Sequence, residues 1–243
     1  MKQRPTRGVR SFSMPIGIIR QANFLRNEIT NRALETTLSR ERLGKYLDAT
    51  KQDLDRALKL YEANTKIAES FYTPLQCLEV CLRNSIDVQL TRTYGGFWFD
   101  NSAVSLNPDS RNSLNEARRG LSSPTQGKIV AELKFAFWVA LLGRGYDATI
   151  WRKSLHHAFR GDNRGKRRSD VHGRFNAIRR FRNRIAHHEP VFHRPCDQTH
   201  KEILEALGWM CPQTAAWATF HSRFEATISE IQSDPDFSGI ITP

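Results

Sequence analysis

Apolar residues return along this chain at the spacing of helices. Leu54, Leu58, Tyr61, Ile67 and Phe71 form one such series, and Leu75, Leu78, Leu82, Ile86 and Leu90 a second. Ile129, Leu133, Phe137 and Leu141 form a third, and Phe175, Ile178, Phe181 and Ile185 a fourth. Steps of mostly three and four put each series on one face of a helix, so the pattern predicts an all-α fold. Shorter signals fill the gaps. Ile19, Phe24, Leu25 and Ile29 predict a first helix within residues 19–37, and Ser39 is placed to cap a short helix carrying Leu43, Tyr46 and Leu47. Thr73-Pro74-Leu75-Gln76 reads either as a helix start, with proline in the first turn, or as a kink within one long helix.

The helix over about 74–93 ends at Tyr94-Gly95-Gly96. Phe97-Trp98-Phe99 then offers either a base-stacking trio or, as the better reading, packing beneath the helices. Asp109 to Arg119 suits a polar surface helix. Trp151, Leu155 and Phe159 mark another helix, and Lys201–Leu207 and Ala215–Ile231 read as closing helices with Trp209, Trp217, Phe220 and Phe224 as packing surface. The expected organisation is a basic arm and first helix over 1–37, a core over 38–195, and closing helices with a tail over 196–243.

Composition narrows the class of partner. The 243 residues are 39% hydrophobic, enough for a folded core, and carry 37 Lys+Arg against 25 Asp+Glu, a net charge of +12. Such an excess of cations, much of it arginine, is the footprint of a polyanion binder. Cys77, Cys81, Cys196 and Cys211 form no C-x-x-C pair and nothing resembles a secretory signal, so a reducing cytoplasm is the expected home. No apolar run approaches the roughly 18 residues of a membrane span.

The densest chemistry lies in Ile178-Arg179-Arg180-Phe181-Arg182-Asn183-Arg184-Ile185-Ala186-His187-His188-Glu189-Pro190. Pro190 cannot continue a helix, so this one is expected to end near His188. Arg182 and His187 are five residues apart, about 140° around an ideal helix, and do not share a face. To act on one phosphate they need either a distorted helix or a second copy of the chain across a two-fold axis. An arginine, an amide and a histidine at one cleft suit phosphodiester cleavage. Imidazole moves protons near neutral pH, and a guanidinium fork holds charge developing on phosphorus.

Arg182-Asn183-Arg184-Ile185-Ala186-His187 resembles the R-x4-H motif of HEPN ribonucleases, and Arg-Asn-x-x-Ala-His-His resembles its form in bacterial Abi-like (abortive infection) proteins. Further segments are similar in order: Ser39 to Leu47; Leu60-Tyr61-Glu62 with Asn64; Leu78 to Asn84; Ala131-Glu132-Leu133 with Phe135 and Phe137-Trp138; and Trp151, Leu155 and Phe159. The likeness covers roughly residues 38–195. It implies a HEPN-type helical bundle with added terminal helices, and a metal-independent endoribonuclease acting as a toxin or in phage defence. It also implies a homodimer with both motifs facing one cleft, and a protein or RNA antitoxin as a further partner. On this resemblance Arg182 and His187 are the catalytic pair, with Asn183 and His188 supporting. Glu79, Arg83 and Asn84 are either a second polar layer at the cleft or, for Glu79 and Arg83, a plain i,i+4 pair. Some relatives place a modified tyrosine two residues after the catalytic histidine; Glu189 stands there in this chain, so that control is not expected.

RNA contacts are expected from the glycine-containing basic stretch with Arg160, Arg164, Lys166, Arg167 and Arg168, and from Arg179, Arg180 and Arg184. The basic arm over 1–18 either tracks RNA or is a tail. His156-His157, on a polar face, reads as surface. No cofactor is expected. A zinc site from His187, His188, His193, Cys196 and His200 is the weaker rival, because Pro190 interrupts the helix that an H-E-x-x-H site needs. The stronger alternative is a non-catalytic HEPN module that binds RNA or a partner without cutting.

Overall fold

A computed structural model describes residues 26–161, 163 and 165–241. The basic arm, the start of the first expected helix and Arg164 lie outside the described residues. Among those described the chain is helical, with no strand: α1 (Glu28–Leu38), α2 (Arg40–Ala49), α3 (Leu54–Ser70), α4 (Tyr72–Tyr94), α5 (Pro108–Arg119), α6 (Gln126–Glu132), α7 (Phe135–Ala140), α8 (Arg168–Ala186), α9 (Cys196–Met210), α10 (Pro212–His221) and α11 (Phe224–Gln232). None of the described helices is long and apolar enough to cross a membrane.

The central element is α4. Its stripe of Leu78, Leu82, Ile86 and Leu90 is wholly buried, and α3, α7, α9 and α10 pack around it. α8 lies against α7 and α9, α11 against α3, and α2 against α3. Ser39 caps α2 as expected, its hydroxyl accepting from Arg42 N at 3.2 Å, while Asp53 caps α3 through Arg56 N at 3.0 Å. Of the aromatic trio, Trp98 and Phe99 are buried and Phe97 is half-exposed, so packing is its main role. Trp98 Nε1 donates to Asp87 at 2.7 Å, which satisfies the one polar atom of the buried indole.

Several expected boundaries move, each for a tertiary reason. α3 and α4 break at Phe71, whose buried ring meets Phe181 of α8 at 4.7 Å and Phe224 of α11 at 4.9 Å; Thr73 is no cap, and Pro74 sits in the first turn of α4. The Ile129–Leu141 stripe is divided between α6 and α7 at Leu133, whose carbonyl accepts from Trp138 Nε1 at 3.2 Å. Trp151, Leu155 and Phe159 are buried, but Trp151 ends a short π-helical segment and Leu155 and Phe159 lie on a 3-10 segment rather than all on one helix. The closing segment is three helices, because Pro212 opens α10 and Ser222-Arg223 separates α10 from α11. Trp209 and Phe224 pack inside as expected, whereas Trp217 and Phe220 face outward.

Candidate active site

α8 buries Val171, Phe175, Ile178 and Phe181 and keeps Ile185 half-buried. That stripe leaves the polar half of the motif for the surface. The helix is regular to its end: His187 N still donates to Asn183 O at 2.9 Å. Its last helical residue is Ala186, earlier than the His188 expected from Pro190, because His188 turns into the left-handed region at φ 55°. His188 N donates to Ile185 O at 3.0 Å and Glu189 N to Arg184 O at 2.8 Å, the paired bonds of a Schellman ending with histidine where glycine is usual. Both His187 and His188 are exposed.

Three other parts of the protein hold this turn. From α2, Arg42 Nη1 donates to His188 O at 2.9 Å. From α3, the buried Asn64 accepts through Oδ1 from Val191 N at 2.7 Å and Phe192 N at 3.1 Å. Within α8, Arg184 pairs with Glu189 at 3.0 Å and donates to Pro190 O at 3.3 Å. Arg184 was expected to contact RNA; its guanidinium instead fastens the turn. The segment after Pro190 forms a further turn, with Arg194 N donating to Val191 O at 2.9 Å.

Arg182 projects from the side of α8 towards α4, its Nη2 lying 3.8 Å from Glu79 Oε2. Glu79 thus joins the motif residue instead of forming an i,i+4 pair with Arg83, which reaches Ala131 O at 3.5 Å. Asn84, one residue and about 100° further round the helix, lines a separate shallow depression with Arg92 and His157. The fold brings Glu79 to the motif and takes Asn84 away from it. Asn183 is half-buried on the same turn as Arg182.

The basic stretch before α8 lies at the other end of that helix. His187 is nineteen positions on from Arg168, about 28.5 Å at 1.5 Å per residue. Arg168 donates to Leu142 O at 2.8 Å and sits 3.4 Å from Asp147, which ties it into the fold. Lys166 lies 5.4 Å over the Trp209 ring, and Arg160 and Arg167 are exposed. Midway, Arg179 is bound to Asn176 Oδ1 at 2.9 and 3.1 Å, while Arg180 is exposed. Arg167, next to Arg168 at the start of α8, is therefore remote from His187.

Sequence reasoning missed the α2 contribution. Lys45 and Arg194, together with Arg184, surround the half-buried His193, and burial and then these cations hold its pKa below the ordinary value. A local signal did exist for Asn64: with Ala57, Leu60 and Ile67 it lies on the buried stripe of α3, where an amide requires a partner. The remaining residues of the zinc rival have other partners. Cys196 Sγ donates to Val191 O at 3.4 Å, and His200 Nε2 meets Ser222 Oγ at 2.8 Å. No group of three or more His, Cys, Asp or Glu among the described residues is arranged to hold a metal ion. No family model, curated protein or solved structure matches this chain.

Proposed function

We propose that the protein is an endoribonuclease of the HEPN type that cuts RNA without a metal ion. The observation that carries this reading is the presentation of the motif: exposed His187 and His188 on a turn fastened from α2, α3 and α8, with Arg182 five residues before His187 and against Glu79. A turn held by that many contacts orients imidazoles instead of leaving them on a loose end. In the proposed reaction a histidine takes the proton of a 2′-hydroxyl, and the resulting oxygen attacks the adjacent phosphorus. The bond to the 5′-oxygen breaks, and a second proton donor protonates that leaving oxygen. Arg182 neutralises the charge on the phosphorane, and the products are a 2′,3′-cyclic phosphate and a 5′-hydroxyl.

The regular course of α8 as far as His187 bears on the stoichiometry. Distortion of the helix is not available to bring Arg182 and His187 onto one face, which favours a homodimer whose two motif turns share a cleft. The biological setting that goes with this reading is that of a toxin or antiviral effector, restrained by a protein or RNA antitoxin in the cytoplasm. The same geometry also keeps the alternative alive: a monomer would bind RNA through these cations without assembling a catalytic pair.

The test is cleavage of end-labelled RNA in EDTA by wild type and by His187→Ala, with the product ends identified. Cyclic-phosphate ends from wild type alone are the expected result. Binding without cleavage by either protein would leave the binding-module reading, and cleavage that EDTA abolishes would overturn the mechanism.

A further inference from the structure

A second cleft opens at the N-terminal end of α4. It has a volume of about 540 Å³, and its aromatic walls are Tyr72, Trp217 and His221. Large aromatics are rarely left in the open, yet here Tyr72 is 68% exposed, Trp217 54% and the neighbouring Phe220 84%. The His221 ring supports this surface, 4.4 Å from Trp217 and 5.0 Å from Phe220.

The charges within the cleft cancel. Lys66 and Arg223 face Glu69 and Glu230, and Lys66 Nζ is already 3.0 Å from Glu230 Oε1. On a chain of net charge +12, a neutral, aromatic recess is a poor seat for a phosphate and a good one for an uncharged ring. The amide of Gln76 and the hydroxyl of Thr73, both in the lining, supply donors and acceptors at its edge.

Its location selects the ring. Tyr72, Gln76, Glu79 and Arg83 follow one another at steps of four and three along a single face of α4. Glu79, which meets Arg182, is therefore two turns, about 10.5 Å, from Tyr72 on nearly the same line. Tyr72 and Gln76 of the cleft and Glu79 beside Arg182 therefore share one face of α4.

We infer that this cleft stacks an unpaired base of the RNA, a nucleotide or two away from the phosphate held by Arg182. The inference rests on the ribonuclease reading and gives it a substrate class: single-stranded RNA, since a base locked in a duplex cannot enter. Tyr72 and Trp217 supply the π-faces, a mode that tolerates any base.

Trp217 makes the test direct. The other four tryptophans, Trp98, Trp138, Trp151 and Trp209, are buried, so a stacked base quenches chiefly the emission of Trp217. Unlabelled, uncleavable 2′-O-methyl RNA is titrated into the full-length protein while fluorescence is followed, with anisotropy of a labelled copy as an independent measure of binding. Saturable quenching is expected with single strands and not with the duplex. Tyr72→Ala weakens binding about fivefold or more, the lower end of what a lost base stack costs, and Tyr72→Phe restores it. Binding seen by anisotropy with no change at Trp217 overturns this inference alone. Quenching without cleavage in the EDTA assay overturns the nuclease reading but not the base site. Failure to bind RNA sinks both, and a blue shift of Trp217 that grows with protein concentration without RNA assigns the surface to a second copy of the chain instead.

Discussion

Asn64 and Val191, 127 positions apart in sequence, are joined by a buried hydrogen bond of 2.7 Å from the Val191 N–H to the Asn64 side chain. The same oxygen accepts from Phe192 N, so one amide in α3 satisfies two backbone donors just beyond the motif. The polar chemistry of α8 therefore depends on a residue from a different helix that touches none of it.

Replacing Asn64 by alanine strands both N–H groups away from water. The cost of a buried unsatisfied group is about 1–3 kcal/mol, and each kcal/mol lowers the midpoint of a chain this size by roughly 2–4 °C. Asn64→Ala is expected to melt several degrees below wild type by differential scanning calorimetry. A midpoint within a degree of wild type would mean that the turn does not need this anchor.

His188 sits at φ 55°, a conformation that costs a residue with a Cβ about 1–2 kcal/mol and glycine nothing. Glycine gives back up to about 1 kcal/mol through the freedom of the unfolded chain. His188→Gly should therefore leave the thermal midpoint unchanged or slightly raised while lowering RNA cleavage, since the imidazole goes and the turn stays. Loss of stability together with activity would show that the histidine is there for structure.

Glu79 and Arg182 are both partly exposed at 3.8 Å, so their attraction adds at most about 1 kcal/mol to stability. Its consequence should appear in function. Glu79→Gln removes a carboxylate beside the proposed phosphate clamp, and is expected to tighten RNA binding at low salt while lowering turnover, as Arg182 loses the partner that aims it. Calorimetric stability, binding and single-turnover cleavage separate the three effects; equal losses of binding and stability would contradict this assignment.

His200 is nearly wholly buried, stacked on Phe224 at 4.4 Å, and burial holds its pKa below the ordinary value of 6.5. Glu225, 3.7 Å from Nδ1, opposes that shift without reversing it. Because the unfolded chain takes up the proton first, this contribution to stability is complete above about pH 6.5 and declines as the pH falls below it. The midpoint should fall on acidification from pH 7 to pH 5.5, less steeply in His200→Gln than in wild type. Parallel profiles would remove His200 from the account.

The helices themselves were legible because their signal is local. Leu78, Leu82, Ile86 and Leu90 stand at helical steps and all four are buried; Phe175, Ile178 and Phe181 behave the same way. The breaks were less legible. Nothing near Leu133 in sequence announces that its carbonyl will be taken by Trp138, and nothing near Phe71 says that its ring will meet both Phe181 and Phe224. For the candidate site, the density of arginine and histidine around Arg182 and His187 was visible at once, but the division of labour among the arginines was not. Arg184 and Arg168 are held inside the fold by Glu189 and Asp147, and their spacing from other cations carries no trace of that.

What the sequence by itself determined is the all-helical class, the excess of positive charge, and the placing of an arginine and a histidine on one helix out of register with each other. These follow from composition and from the period of a helix, which need no distant partner. Tertiary structure alone decided that the motif turn is fastened by Arg42 and Asn64, that Glu79 faces Arg182 while Asn84 does not, and that the basic stretch stands a full helix length from His187. The physical reason is range. Periodicity acts over a few residues, whereas a buried hydrogen bond or a packed ring joins whichever segments the folded core brings together.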